Sequence, residues 1–170
     1  MNSGSSSVNE NLILAVIVIG TLMASVDSTI VLLAFPAITQ ALHSNISTII
    51  WVILIYMIVV AVFSTQFGRI GDIYGRAKMF NTGFAVFTVA SFLCGIAPTD
   101  KLLISFRAVQ AVGGALISSN SSAIIADTFP RNKIGRAYGF TSMSWNIGAL
   151  LGIILGGVIT TFIGYRYIFF

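Results

Sequence analysis

Charged residues are scarce in this sequence. Of 170 residues, nine are Lys or Arg and five are Asp or Glu, together 8% of the chain, against about 25% in an ordinary soluble domain. The apolar fraction is 56% and the mean hydropathy is +0.97. A soluble domain of this size leaves roughly 30% of its chain surface in water. The composition therefore excludes a soluble globular enzyme and an intrinsically disordered chain.

Patterns typical of several other functions are also missing. Cys94 is the only cysteine, so no internal disulfide can form, and we expect it to be a small packing residue. No basic run alternates with aromatic residues, so a nucleic-acid partner is not expected. His43 has no metal ligands at a suitable spacing, and no phosphate-binding or hydrolase motif occurs. The sequence predicts no enzyme, no metal site and no cofactor.

Long apolar segments dominate what is present. They cover about residues 12–35, 48–67, 79–97, 102–126 and 137–163. Each is close to the roughly 20 residues that a helix needs to cross a bilayer. Backbone groups in lipid must be satisfied internally, and alternating ten-residue blocks typical of membrane barrels are absent. We predict an all-α, polytopic transmembrane helix bundle with a polar tail at residues 1–11 and one domain over 12–170.

Basic residues predict the orientation of this bundle. Two loops on one side are basic, with Arg69, Arg76 and Lys78 in one and Arg131, Lys133 and Arg136 in the other. The opposite side has only Lys101 and Arg166. Because cytoplasmic loops carry an excess of Lys and Arg, both basic loops and the N-terminus are predicted to be cytoplasmic. We expect an integral protein of the plasma membrane.

Two ionisable residues lie inside predicted spans, Asp27 in the first and Arg107 in the fourth. An acid at the centre of a span costs about 2.5–3.5 kcal/mol of insertion free energy, which makes it a candidate functional residue. A buried arginine keeps its charge and needs a partner. We therefore predict that Asp27 and Arg107 share a polar cavity that binds a proton or a cation. Gln110 lies on the same helix face as Arg107.

Structural explanations of these residues stay open. Asp27 can instead reach water at a helix end or bond to a neighbouring hydroxyl, and Arg107 can extend to the edge of the bilayer. Trp51 and Tyr56 are expected to be interfacial anchors. In the fifth span, glycines recur at Gly148, Gly152 and Gly156, followed by Gly157. Such a stripe favours close helix packing over a reaction.

Several motifs, in order along the chain, resemble those of the major facilitator superfamily, especially its fourteen-span multidrug:proton antiporters. Residues 27–36 (DSTIVLLAFP) resemble the D-x-T-I-V-N-V-A-L-P signature of the first helix, with Leu32 in place of Asn. Trp51 and Tyr56 match the Trp-x4-Tyr opening of the second helix. Residues 68–78 (GRIGDIYGRAK) resemble the cytoplasmic loop signature, whose members here are Gly68, Asp72, Gly75, Arg76 and Lys78.

The later motifs continue the resemblance. Arg107, Gln110 and Gly114 match a fourth-helix motif whose arginine is linked to proton transfer. Residues 148–157 resemble the fifth-helix antiporter motif, with Ile153 where the family usually has Pro. Residues 165–170 (YRYIFF) resemble the opening of the sixth helix. By this resemblance, Gly68 allows a close helix approach, and Asp72 and Arg76 form a charge network that latches the outward-facing state.

The resemblance implies a secondary transporter that uses a proton gradient as its energy source and moves small amphipathic organic compounds or drugs by alternating access. Asp27, Arg107 and Gln110 then serve coupling. Because a complete member has two six-helix halves, five spans predict an incomplete N-terminal half whose C-terminal half is a missing partner. The alternative is a truncated or non-transporting membrane protein that keeps the helix pattern as a remnant or assembly partner.

Overall fold

The computed structural model describes residues 10–170, and every regular element in that range is helical. The long helices are Glu10–Ala41 (α1), Ile46–Tyr74 (α2), Arg76–Gly95 (α3), Asp100–Thr128 (α4) and Arg131–Phe162 (α5), followed by a short 3-10 helix at Tyr165–Phe169. All five long helices are long and apolar enough to cross a membrane. Of the predicted polar tail, residues 1–9 lie outside the described residues, and α1 begins at Glu10.

Most helix ends lie beyond the apolar segments because polar residues form them, whereas α3 and α5 end at Gly95 and Phe162, one or two residues before their predicted segments end. The side chain of Asn45 accepts a hydrogen bond from the Thr48 amide at 2.8 Å and caps α2. Thr99 caps α4 in the same way. The predicted polar loop at residues 68–78 is mostly helix, interrupted by Gly75 with a φ of +97°. Hydropathy thus marks where lipid ends, and the caps mark where helices end.

Helix α4 is the centre of the bundle. It packs against both α2 and α3, while α1 packs along α5. The approach of α3 depends on Gly113, where an added Cβ would lie 2.6 Å from the Phe87 amide nitrogen. Cys94 is fully buried in an apolar cluster with residues of α1, α2 and the 3-10 helix, as expected of a packing residue.

Candidate functional site

Asp27 of α1 and Arg107 of α4 form a buried ion pair. Arg107 Nη1 lies 2.8 Å from Asp27 Oδ2 and 3.0 Å from Asp27 Oδ1. Their side chains are 8% and 2% exposed, respectively. Arg107 therefore points into the bundle, and its alternative placement at the bilayer edge does not occur. A charged pair in such surroundings is maintained only when both partners are present and hydrogen-bonded.

Gln110 joins this pair into a closed network of three side chains. Its Oε1 accepts from Arg107 Nη1 at 2.7 Å, and its Nε2 donates to Asp27 Oδ1 at 2.9 Å. The spacing of three residues on α4 places Gln110 and Arg107 on one face. Each member of the network contacts the other two, so the polar groups satisfy one another inside an apolar bundle.

Tyr56 of α2 covers the guanidinium. Arg107 Cζ lies 4.5 Å from the centroid of the tyrosine ring, a cation–π geometry. Tyr56 is only 8% exposed, so its predicted role as an interfacial anchor was wrong, whereas Trp51 is 48% exposed. The phenol fits because residue 114 is glycine, where a Cβ would lie 2.6 Å from the tyrosine hydroxyl. Arg107 Nε also donates to the Val52 carbonyl at 3.4 Å.

A cavity of about 450 Å³ lies beside Asp27. It is bounded by α1, α3 and the end of the chain, and its aromatic lining residues are Phe87, Phe92, Phe169 and Phe170. Thr88 and Ser91 add hydroxyl groups from α3. The carboxylate is thus both paired with Arg107 and placed at the wall of a largely apolar space. This arrangement can hold a proton or a small cationic or aromatic group next to the ion pair.

A second charge cluster joins the ends of α2, α3 and α4. Arg76 Nε donates to Asp72 Oδ1 at 2.9 Å, and Arg76 Nη1 lies 2.6 Å from Asp127 Oδ2. Arg76 Nη1 also donates to the Ala123 carbonyl at 2.8 Å. Asp127 was not identified from the sequence. Its signal there is an acid at the polar end of the fourth span, immediately before a basic loop.

The other members of the loop signature have different surroundings. The close helix approach predicted at Gly68 is not found among the described residues, because a Cβ there would have nothing within 4 Å. The approach occurs three residues later at Gly71, where a Cβ would collide with the Asn120 side chain. Gly75 adopts a positive φ at the junction of α2 and α3. Lys78 forms no ion pair within residues 10–170.

The glycine stripe of α5 lies against the backbone of α1. An added Cβ would lie 2.8 Å from the Leu22 carbonyl oxygen at Gly148, 2.7 Å from that of Val26 at Gly152, and 3.1 Å from that of Ile30 at Gly156. Gly157 is outside this contact, since its nearest neighbour would be a Leu33 methyl carbon at 3.9 Å. These carbonyl oxygens recur every four residues on α1, as the glycines do on α5, so each turn of the stripe contacts one turn of α1.

Comparisons with known proteins place this arrangement among transporters. Residues 17–170 match the family model described as Major Facilitator Superfamily. The riboflavin transporter RibZ of Clostridioides difficile is 36% identical over 158 residues, which are 93% of this chain and 35% of that protein. Multidrug resistance protein 3 of Bacillus subtilis is 36% identical over 91% of this chain and 30% of its own length. The tetracenomycin C resistance and export protein of Streptomyces glaucescens is 32% identical, over 92% and 29%.

Solved structures show the same fold. A bacterial homologue of the human lysosomal transporter Spinster, in an inward-facing and occupied conformation, superposes with a TM-score of 0.81 at 19% identity. The superposition covers 89% of this chain and 33% of that one. This likeness confirms the predicted all-α fold of a major-facilitator N-terminal half.

The chain spans about a third of the length of these curated relatives, between 29% and 35% of each. Its relatives are named as transporters and export proteins, and the family comprises transporters rather than enzymes. The chain is an integral membrane protein with several spans. By its motifs, its fold and this match over most of its length, the chain belongs to the major facilitator superfamily.

Proposed function

We propose that the chain is part of a proton-coupled secondary transporter that exports small amphipathic organic compounds by alternating access. The observation that carries this proposal is the buried network of Asp27, Arg107 and Gln110. Ionisable groups inside a membrane bundle are costly and mark ion or proton pathways. The network also connects α1 to α4, so its charge state acts on the contact between two helices.

A proton on Asp27 would change this contact. Asp27 Oδ1 accepts from Arg107 and from Gln110, and Oδ2 accepts from Arg107. Protonation removes the counter-charge of Arg107, which itself keeps its charge under ordinary conditions. The guanidinium then has Tyr56, Gln110 and the Val52 carbonyl as its remaining partners. Proton binding would thereby loosen α1 from α4, which is the step that couples a proton to a conformational change.

The proposed substrate class follows from the cavity and from the relatives. Aromatic side chains line the space beside Asp27, which suits a flat apolar compound with a positive or polar group near the carboxylate. Two relatives are named for drug or antibiotic resistance and one for riboflavin. Riboflavin and a fluorescent amphipathic cation such as ethidium are therefore the two substrates to test first.

The cluster of Asp72, Arg76 and Asp127 is proposed as the latch of one conformational state. It joins the ends of three helices through one arginine, at a side predicted to be cytoplasmic. Gly68, Gly75 and Lys78 are proposed to serve the same loop, and their partners would come from the C-terminal half that the chain is proposed to require. The glycines of α5 are proposed to serve the antiporter motif by holding α5 tightly on α1.

The second candidate is a non-transporting membrane protein that retains the helix pattern. The observation that favours it is length, because the chain spans only about a third of each relative. Both candidates place the same five helices in a lipid bilayer. They differ in whether substrate moves when a proton gradient is applied.

A transport assay with its own control variant distinguishes the candidates. We would express in bacteria the whole transporter of which this chain is proposed to be a part, prepare inverted membrane vesicles, acidify their interior, and follow the uptake of ethidium and of riboflavin. We expect proton-dependent uptake that is lost in Asp27→Asn and kept in Gly139→Ala, where an added Cβ has nothing within 4 Å. Uptake that persists in Asp27→Asn would remove Asp27 as the coupling residue. No uptake of either compound by a protein shown to be inserted would favour the non-transporting alternative.

A further inference from the structure

Asn120 of α4 holds the buried side-chain atom of residues 10–170 that has no hydrogen-bond partner. The residue is 0% exposed, and its Oδ1 receives no N–H or O–H. An unpaired buried amide oxygen loses its bond to water without replacement, so each such case in a native fold requires an explanation. The explanation here lies in the helix that faces Asn120.

The other end of the amide fixes its orientation. Asn120 Nδ2 donates to the Leu116 carbonyl oxygen at 2.8 Å and lies 3.5 Å from the Phe67 carbonyl oxygen of α2. A flipped amide would direct Oδ1 at these two carbonyl oxygens, which cannot donate, and at Ser119 Oγ, 3.3 Å from Nδ2, whose proton is donated to the Ala115 carbonyl at 2.7 Å. Oδ1 must therefore face α2 beyond Phe67, where it meets Gly71.

Gly71 offers the one group that suits this oxygen. A Cβ at Gly71 would collide with Asn120 Oδ1, so the Cα–H that takes this direction points at the oxygen. Contacts between Cα–H groups and carbonyl oxygens recur where helices pack closely. Phe67 and Gly71 are four residues apart, one turn of α2. The Asn120 amide therefore spans one turn, with Nδ2 near Phe67 and Oδ1 at Gly71.

This contact lies next to the charge cluster. Gly71 immediately precedes Asp72, and Ala123 and Asp127 follow Asn120 on the same face of α4. A slip of α2 by a single residue is about 1.5 Å along the axis, enough to break the contacts of 2.6–2.9 Å that Arg76 makes.

We propose that Asn120 is the positioning residue of the Asp72–Arg76–Asp127 cluster. Its amide, placed between Phe67 and Gly71, fixes how far α2 extends along α4 and so sets where Asp72 stands relative to Asp127. Any effect of this positioning on transport rests on the proposed function of the cluster as a latch. The positioning itself is a property of the chain and is measurable without transport.

The test measures the distance between the cluster ends of α2 and α4. Nitroxide labels are attached at Ile73→Cys and Ser122→Cys, both exposed positions, in the purified protein, where native Cys94 is buried. Electron paramagnetic resonance gives the distance distribution between the labels. It is compared with that of a second pair at the other ends of these helices, Ile46→Cys and Leu102→Cys.

Because an axial slip moves both ends of a continuous helix, Gly71→Ala is expected to shift the maxima of both distance distributions, on the scale of about 1.5 Å, the rise of one residue. Gly68→Ala is the matched control on α2, because its Cβ meets nothing. Asn120→Ala is expected to broaden the distribution, and Gly71→Ala with Asn120→Ala is expected to remove the shift while keeping the breadth seen in Asn120→Ala.

The proposal is overturned if Gly71→Ala leaves the distance at the cluster end unchanged, or if the double variant is as displaced as Gly71→Ala alone. It is also overturned if Gly71→Ala broadens both distributions without shifting their maxima, because that result indicates a general loss of packing. A transport assay of Gly71→Ala distinguishes the positioning role of Asn120 from the proposed latch function of the cluster. A shifted distance with unchanged transport contradicts the latch and leaves the positioning role of Asn120 intact.

Discussion

The two charges of the buried pair differ in how they can be neutralised. A carboxylate loses its charge when it binds a proton, whereas a guanidinium keeps its charge under any ordinary condition. Asp27 and Arg107 therefore depend on each other unequally. Without Asp27, the charge of Arg107 stays buried and uncompensated, while without Arg107 the carboxyl group can take up a proton and become neutral.

This inequality predicts the stability of two variants. Asp27→Asn should destabilise the bundle by about 3 kcal/mol or more, the usual cost of removing one partner of a buried pair. Arg107→Met should cost less, because the carboxyl group that it leaves can become neutral, whereas a guanidinium cannot. Thermal unfolding of the two purified variants measures both effects. Equal losses would contradict the unequal dependence.

Tyr56 contacts Arg107 through its ring. Its hydroxyl group makes no hydrogen bond within residues 10–170. Tyr56→Phe should therefore keep most of the stability, while Tyr56→Leu should lose about 1–2 kcal/mol with the cation–π contact to Arg107. The measurement is thermal unfolding of both variants in the wild-type and Arg107→Met backgrounds. The difference between Phe and Leu should shrink when Arg107 is absent, and a difference that persists would assign the effect to packing.

The sequence predicts the polar residues of the buried network better than it predicts the aromatic residue that covers Arg107. Asp27, Arg107 and Gln110 stand out because few other polar groups lie inside the spans, and each needs a partner. Tyr56 does not stand out in the sequence, because tyrosine is also common at the membrane–water interface. Asp127 was missed because its partner Arg76 is distant in sequence, and only the packing of α3 on α4 brings them together.

Among the elements, α1 and α5 pack closely along their backbones. Their contact depends on glycines that face backbone carbonyl oxygens of α1 as well as side chains such as Thr29. A backbone oxygen cannot move aside without displacing its helix, so the added volume of one methyl group separates the two helices. Hydroxyl groups reinforce the pair, since Ser25 Oγ donates to the Trp145 carbonyl at 2.6 Å and Ser144 Oγ to that of Val18 at 2.7 Å.

Gly152→Ala should therefore destabilise the protein by about 1–3 kcal/mol, the usual cost of overpacking. Its Cβ would lie 2.7 Å from the Val26 carbonyl oxygen and would also meet Thr29. Gly157→Ala is the matched control on the same helix, because its Cβ reaches only a methyl carbon at 3.9 Å. Thermal unfolding of the two variants side by side gives the comparison. A loss of equal size in both would show that helix flexibility, and not the contact with α1, explains the stripe.

The helices themselves follow from the sequence, and their pairing does not. Runs of apolar residues predict five spans because lipid requires internal hydrogen bonding. Which spans touch depends on small residues matched across helices, such as Gly113 with the Phe87 backbone and Gly148 with Leu22. The stripe on α5 predicts a close partner without saying which helix it is. Gly68 and Gly71 look alike in the sequence, yet only Gly71 meets another helix.

The orientation of the whole bundle in the membrane can be tested by labelling the two ends of α2. Ile73 and Ile46 lie near its opposite ends and are 75% and 65% exposed, while Cys94 is buried. In vesicles with the cytoplasmic side inward, a membrane-impermeant maleimide should label Ile46→Cys and leave Ile73→Cys unlabelled until the membrane is opened. Inverted vesicles should give the reverse pattern. The same pattern in both preparations would contradict a single orientation and the prediction from basic loops.

The unequal lengths of α2 and α3 have a consequence for the membrane around the bundle. The 29 residues of α2 rise about 43 Å and the 20 of α3 about 30 Å. Because both meet at Gly75, α3 stops about 13 Å short of the level at which α2 begins. The side chain of Phe170 packs against Gly95 at this end of α3. The rise of α3 equals the roughly 30 Å of a hydrocarbon core, so α3 matches the bilayer, and α2 must tilt or extend into the headgroup layer to accommodate its additional length.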